Sequence, residues 1–133
     1  FSHVYLYSAT MSILPDDTIT TRNDFASALQ TNDNLLVLKF GAEWCGPCKT
    51  IAPLVNQCIE KLDKRIQVAF IDVDEAFDVY AYLKSKKVVA AIPTLLAYKV
   101  GSTGLAPDLI VVGADTTSIE HFFAKCNKLC TVK

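Results

Sequence analysis

The stretch Trp44-Cys45-Gly46-Pro47-Cys48-Lys49 stands between two segments of different periodicity. Before it, Leu35-Leu36-Val37-Leu38 is an apolar run of strand length. After it, apolar residues at 51, 54, 55, 58, 59 and 62 recur at helical spacing. The six residues therefore form a strand-to-helix turn. A cysteine on such a turn lies among the unpaired N–H groups of the helix's first turn, where the dipole favours negative charge, so Cys45 should ionise more readily than a free thiol. Two intervening residues keep the sulfurs within bonding reach. Pro47 fixes one backbone angle at the helix start, and Gly46 lets another backbone approach closely. A thiolate at Cys45 can attack a partner's disulfide, and Cys48 can resolve the mixed disulfide by attacking Cys45.

At 133 residues and 51% hydrophobic content, the chain suits one substantial core rather than two. A net charge of −1 gives no reason to expect a nucleic-acid or anionic-membrane partner. The apolar runs are far short of a membrane span, so no membrane role is expected. Five cysteines, with one short-spaced pair and no regular framework, fit a reducing compartment, and the cytoplasm is the expected location. Zinc is the rival reading of the pair, but a tetrahedral site needs four ligands and the only other pair is Cys126 and Cys130. No metal site is assigned.

In chain order, Thr18-Ile19-Thr20 reads as a short first strand, and a helix over 22–31 follows with Thr21 and Asp24 as a capping pair. The run from Leu35 to Phe40 reads as a central strand covered on both faces, and Ile66 to Val73 as a second, parallel to it across the helix after Cys48. A helix over 75–86 would bury Phe77, Tyr80, Ala81 and Leu83. Residues 94–100 and 109–112 read as an antiparallel hairpin with a surface loop at 101–108. The last helix begins near Ser118, with Thr117 and Glu120 as its capping box and Ile119, Phe122, Phe123, Cys126 and Cys130 on one face. Packing is the plain reading of Cys58, Cys126 and Cys130. His3 and His121 have no partners at ligand spacing and read as surface residues. Residues 1–17 form an N-terminal extension, in which Val4 and Leu6 alternate with Tyr5 and Tyr7, so either a short extra strand, a docking arm or a tail fits. It lacks the basic front and long apolar core of a signal peptide. The domain proper is residues 18–133.

Trp44-Cys45-Gly46-Pro47-Cys48-Lys49 resembles the active-site motif of the thioredoxin family. Ala91-Ile92-Pro93-Thr94-Leu95-Leu96 is similar to that family's loop holding a cis proline beside the dithiol, and Val112-Gly113-Ala114 to its remaining substrate-facing turn. Phe25, Ala42-Glu43, Pro53, Val68-Ala69 and Asp74 also fall where the family pattern puts them, so the resemblance runs from about residue 18 to 127. It implies an α/β thioredoxin fold, with a central mixed sheet of four to five strands and helices on both faces. It also implies dithiol–disulfide exchange on protein substrates, with Cys45 attacking and Cys48 resolving. Trp44, Gly46, Pro47, Ile92, Pro93, Gly113 and Ala114 would form the apolar docking rim. No bound cofactor is implied, and electrons would come from a separate disulfide reductase.

Two positions depart from the family pattern. Thioredoxins typically carry a buried Asp where this chain has Lys39, and the accompanying lysine of the neighbouring strand is matched by Phe70. An ionised Lys39 near the pair would favour thiolate, giving a higher reduction potential and slower resolution. Alternatively, its ammonium reaches water away from sulfur. Gly41 replaces a commonly aromatic residue, leaving the dithiol more open unless Tyr98 or Phe70 fills the space. These departures and the extension also motivate a rival function: an interaction subunit of a larger protein assembly with residual redox activity.

Overall fold

The computed structural model describes residues 13–102 and 105–130. Its strands are β1 (Leu35–Gly41), β2 (Ile66–Asp72), β3 (Thr94–Lys99) and β4 (Leu109–Val112), in the sheet order β2-β1-β3-β4. β2 runs parallel to β1, β3 antiparallel to β1, and β4 antiparallel to β3. The helices are α1 (Arg22–Thr31), α2 (Gly46–Glu60), α3 (Phe77–Ser85) and α4 (Thr116–Leu129). No helix among the described residues is long and apolar enough to cross a membrane.

Strand alternation divides the core into two layers. Leu36, Leu38 and Phe40 of β1 join Ala69, Ile71, Leu96 and Tyr98 beneath α1 and α3, which contribute Phe25, Leu29, Val79 and Leu83. Leu35 and Val37 face the other way, with Ile66, Val68, Leu95 and Ala97, to meet Ile51, Val55 and Ile59 of α2 and Ile119, Phe122 and Phe123 of α4. β1 is thus buried on both faces, as its continuous apolar run requires. Each fully buried aliphatic side chain contributes about 1.5–3 kcal/mol. This alternation places Lys39, the next odd-numbered residue of β1, on the α2 side.

Four local expectations are corrected. Thr18-Ile19-Thr20 is not a strand, because Thr20 spends its N–H and hydroxyl on the Asp24 carboxylate, at 3.0 and 3.1 Å, while Thr18 N–H donates to the Pro15 carbonyl. Ile19 still enters the core. Ile13 instead makes a single parallel bridge to Val68, and Leu14 N–H donates to the Val68 carbonyl at 2.8 Å. Two residues assigned to the extension are therefore docked on β2, and the sheet has four strands. Val4, Tyr5, Leu6, Tyr7 and His3 lie outside the described residues.

The third helix begins at Phe77 rather than 75, since the Asp72 carboxylate accepts from the N–H groups of Asp74 and Glu75 and holds a turn there. The helix is thereby rotated so that Val79 and Leu83 are buried, while Phe77 is 65% exposed. The loop after β3 is not wholly a surface segment, because Leu105 packs against the core and its carbonyl accepts from the Tyr98 hydroxyl at 3.0 Å.

The last helix is capped by Asp115, not Thr117. Its carboxylate accepts from the Ser118 N–H at 2.9 Å and the Ser118 hydroxyl at 2.7 Å. An extended residue with a short acidic side chain satisfies an otherwise unpaired donor, and its charge suits the helix N-terminus. Asp115→Ala should cost about 1 kcal/mol in chemical denaturation, whereas Thr117→Ala should change stability by only a few tenths. Equal losses would mean the cap is misplaced.

Candidate active site

Sheet polarity gathers the site at one end. β1 and β2 finish there, β3 begins there and β4 finishes there, so the residues after 41, after 72, before 94 and after 112 share a rim. The Cys45–Cys48 disulfide is formed across a Cα–Cα separation of 5.3 Å. Cys45 is the N-cap of α2, in extended conformation, and its sulfur accepts from the Cys48 N–H at 3.2 Å. Pro47 lies in the first helical turn, where a missing N–H costs nothing. Anchored by Ile51, Val55 and Ile59, the helix aims its N-terminal donors at Cys45. That environment stabilises a thiolate once the disulfide is opened.

Both sulfur-bearing residues are largely covered, Cys45 being 5% and Cys48 4% exposed, whereas Trp44 is 67% exposed. The indole is not core. Its Nε1–H donates to Asp74 at 2.8 Å, which orients the ring beside the dithiol turn. Asp74 is 30 residues away in sequence, and no local pattern links the two. Gly46, Pro47 and Ala114 are exposed, Ile92 and Gly113 half-buried, and Pro93 buried. The Ile92–Pro93 peptide is cis. Gly113 has φ +97°, a region open to glycine, and its N–H donates to the Pro93 carbonyl at 2.8 Å. Two segments separated in sequence thus form one surface, and β4 extends it with exposed Ile110 and Val112.

Lys39 lies beneath the helix start. Its strand partner is Phe70, and Nζ lies 6.0 Å from that ring's centroid. A Cβ added at Gly41 would sit 3.3 Å from Lys39 Nζ and 3.4 Å from Cys48 Sγ, so the amine is on the sulfur side of the strand. Burial lowers the Lys39 pKa from its ordinary value. A cavity of about 250 Å³ opens beside these atoms, lined by Glu43, Lys49, Phe70 and Asp72 as well as Lys39, Gly41 and Cys48. Tyr98 does not fill the Gly41 space, since it belongs to the opposite core layer.

The remaining cysteines are dull by construction. Burial pushes the Cys126 thiol up to about 12 and raises Cys58 and Cys130 as well. Cys58 is half-buried rather than core, and Cys130 caps the end of α4. His121 is exposed.

A model of the thioredoxin family matches residues 17–125. Thioredoxin-1 of Saccharomyces cerevisiae is 40% identical over 106 residues, covering 78% of this chain and 91% of that protein. Thioredoxin-2 of the same yeast is 37% identical over 108 residues, covering 80% and 93%. Among solved structures, the reduced thioredoxin pre-protein of Schistosoma mansoni is 32% identical, with a TM-score of 0.63 and coverage of 85% of this chain and 94% of that one. A dithiol pair capping a helix, at the rim of this sheet, and matches over nearly the whole length of such relatives lead to one conclusion: the chain belongs to the thioredoxin family, and it is a thiol–disulfide oxidoreductase of the protein-disulfide reductase type.

Proposed function

We propose that the chain reduces disulfides of extended protein segments docked on the rim of Trp44, Gly46, Pro47, Ile92, Pro93, Gly113 and Ala114. The observation that carries this reading is the capping geometry at Cys45, with its sulfur facing the Cys48 N–H beside an exposed indole. In the reduced protein the Cys45 thiolate attacks a substrate disulfide, forming one new S–S bond and releasing one substrate thiolate. Cys48 then attacks Cys45 Sγ, releasing the second substrate thiolate and leaving the Cys45–Cys48 disulfide. Two electrons pass to the substrate, and a separate disulfide reductase restores the dithiol. Three further cysteines without disulfide partners support a reducing compartment, the cytoplasm being the simplest.

Exposed apolar surface around a covered sulfur favours protein over small-molecule substrates. In an insulin-reduction assay driven by a generic thioredoxin reductase, the native chain should turn over steadily and Cys45→Ser should be inactive. Cys48→Ser should instead accumulate a mixed disulfide visible on a non-reducing gel. Negligible native turnover, with stable co-purification of one large partner, would favour the assembly-subunit reading.

The Trp44–Asp74 hydrogen bond gives a second expectation. Asp74→Ala frees the indole, so KM for insulin should rise several-fold, whereas the rate with a small aromatic disulfide should change less than about twofold. An equal effect on both would place Asp74 in the chemistry rather than in docking.

A further inference from the structure

We propose that the outer edge of β4 receives the substrate as a fifth strand: an extended segment, following the attacked cysteine, in which apolar and acidic residues alternate. The inference rests on the reading of the docking rim given above and adds the class of substrate that continues from it.

β4 ends the sheet order, so among the described residues no strand lies on its outer side. The Gly113 N–H donates to the Pro93 carbonyl at 2.8 Å, and Val111 is the register partner of Leu95. In an antiparallel ladder the main-chain groups of alternate residues turn to the same neighbour. Val111 and Gly113 therefore face β3, while Ile110 and Val112 present N–H and C=O outward. Their side chains are exposed too, at 49% and 50%. Sheet edges are ordinarily guarded by charge or proline, and Leu109-Ile110-Val111-Val112 carries neither. The opposite edge, on β2, is met by Ile13 and Leu14. An open apolar edge is a template for strand addition.

Continuity and charge select the occupant. Val112 runs directly into Gly113 and Ala114 of the rim, so a segment leaving the dithiol over that turn meets β4 next. β4 runs toward the rim. An antiparallel addition therefore runs away from it, and the residues that follow the substrate cysteine lie on the edge. Side chains of the added strand alternate between two faces. One set pairs with Ile110 and Val112. The other turns to a groove of about 360 Å³ between β4 and α4, bordered on the helix by Ser118, His121 and Lys125. Among the described residues lining that groove there is one ammonium and no carboxylate, so acidic side chains complement it. A second copy paired through β4 would instead set two such cationic stripes on the same side of the joined sheet.

Activated peptides test the proposal in the Cys48→Ser chain, which stops at the mixed disulfide. Each peptide carries one cysteine bonded to an aromatic thiol. Attack by Cys45 forms the Cys45–peptide disulfide and releases the coloured thiolate. A peptide with Val-Glu-Val-Glu after its cysteine should react about tenfold faster, at low concentration, than one with the same residues before it. With Lys in place of Glu most of that advantage should be lost, and Lys125→Glu should reverse the choice between the two. Ile110→Lys should bring the after-to-before ratio within about twofold of unity. In the trapped complex, amide hydrogen exchange at Ile110 and Val112 should be at least tenfold slower than in the free chain, an effect that apolar contact without strand pairing would not produce.

Equal rates for the two placements, a choice of charge unmoved by Lys125→Glu, or unaltered exchange at Ile110 and Val112 would each overturn the proposal. So would sedimentation showing a dimer that Ile110→Lys dissociates, or protection of those two amides in the free chain that vanishes when residues 1–12 are removed. The edge would then belong to a second copy or to the chain's own N-terminal segment. Failure to release the coloured thiolate from every peptide and from a small aromatic disulfide would instead remove the attacking role of Cys45, and the parent reading with it.

Discussion

The capping of α2 by Cys45 is the constraint on which the chemistry rests. A helix N-terminus leaves N–H groups without intrahelical partners, and here one of them points at a sulfur at 3.2 Å. The arrangement holds only because α2 is fixed along its length. Ile51, Val55 and Ile59 are clamped between β1 and α4, so the first turn cannot drift from the end of the strand. Local chain geometry then supplies the second sulfur, since two residues of helix bring Cys48 back beside Cys45.

Fold polarity does the rest of the assembly. All four strands contribute to one end of the sheet, which brings Trp44, Asp74, Pro93 and Gly113 into a common rim although they span 70 residues of sequence. Two hydrogen bonds fix that rim: the indole to Asp74, and the Gly113 N–H to the Pro93 carbonyl. Neither contributes much to stability, at about 1 kcal/mol for a typical hydrogen bond. Their effect is to hold an apolar surface still beside a covered sulfur. Desolvation raises the thiols of the other three cysteines, none of which caps a helix N-terminus as Cys45 does.

Beneath the rim, the lysine and the glycine of β1 are one feature rather than two. An aromatic side chain at position 41 would stand between Lys39 and Cys48, and an apolar residue at 39 would extend the core up to the disulfide. With a lysine at 39 and no side chain at 41, the protein has a solvent-connected space beside Cys48 Sγ.

By itself the sequence determined the α/β class, the parallel pairing of the two strands, the burial of β1 on both faces, the dithiol turn and the apolar stripes of α2 and α4, whereas β2 is an edge strand with Gln67, Phe70 and Asp72 half-buried. Each of these is written in a local pattern: continuous apolar runs, a period of 3.6, or a two-residue spacing between cysteines. It erred where short-range hydrogen bonds compete with the pattern. Asp24 consumed the donors of the expected first strand, Asp72 delayed and rotated α3, and Asp115 outcompeted Thr117 as a cap. Only the tertiary structure decided which partner holds Trp44, what lies beside Gly41 and where the Lys39 amine points. Those depend on the register of β1 against β2 and on how α2 seats above them, and long-range packing of this kind leaves no trace in residue spacing.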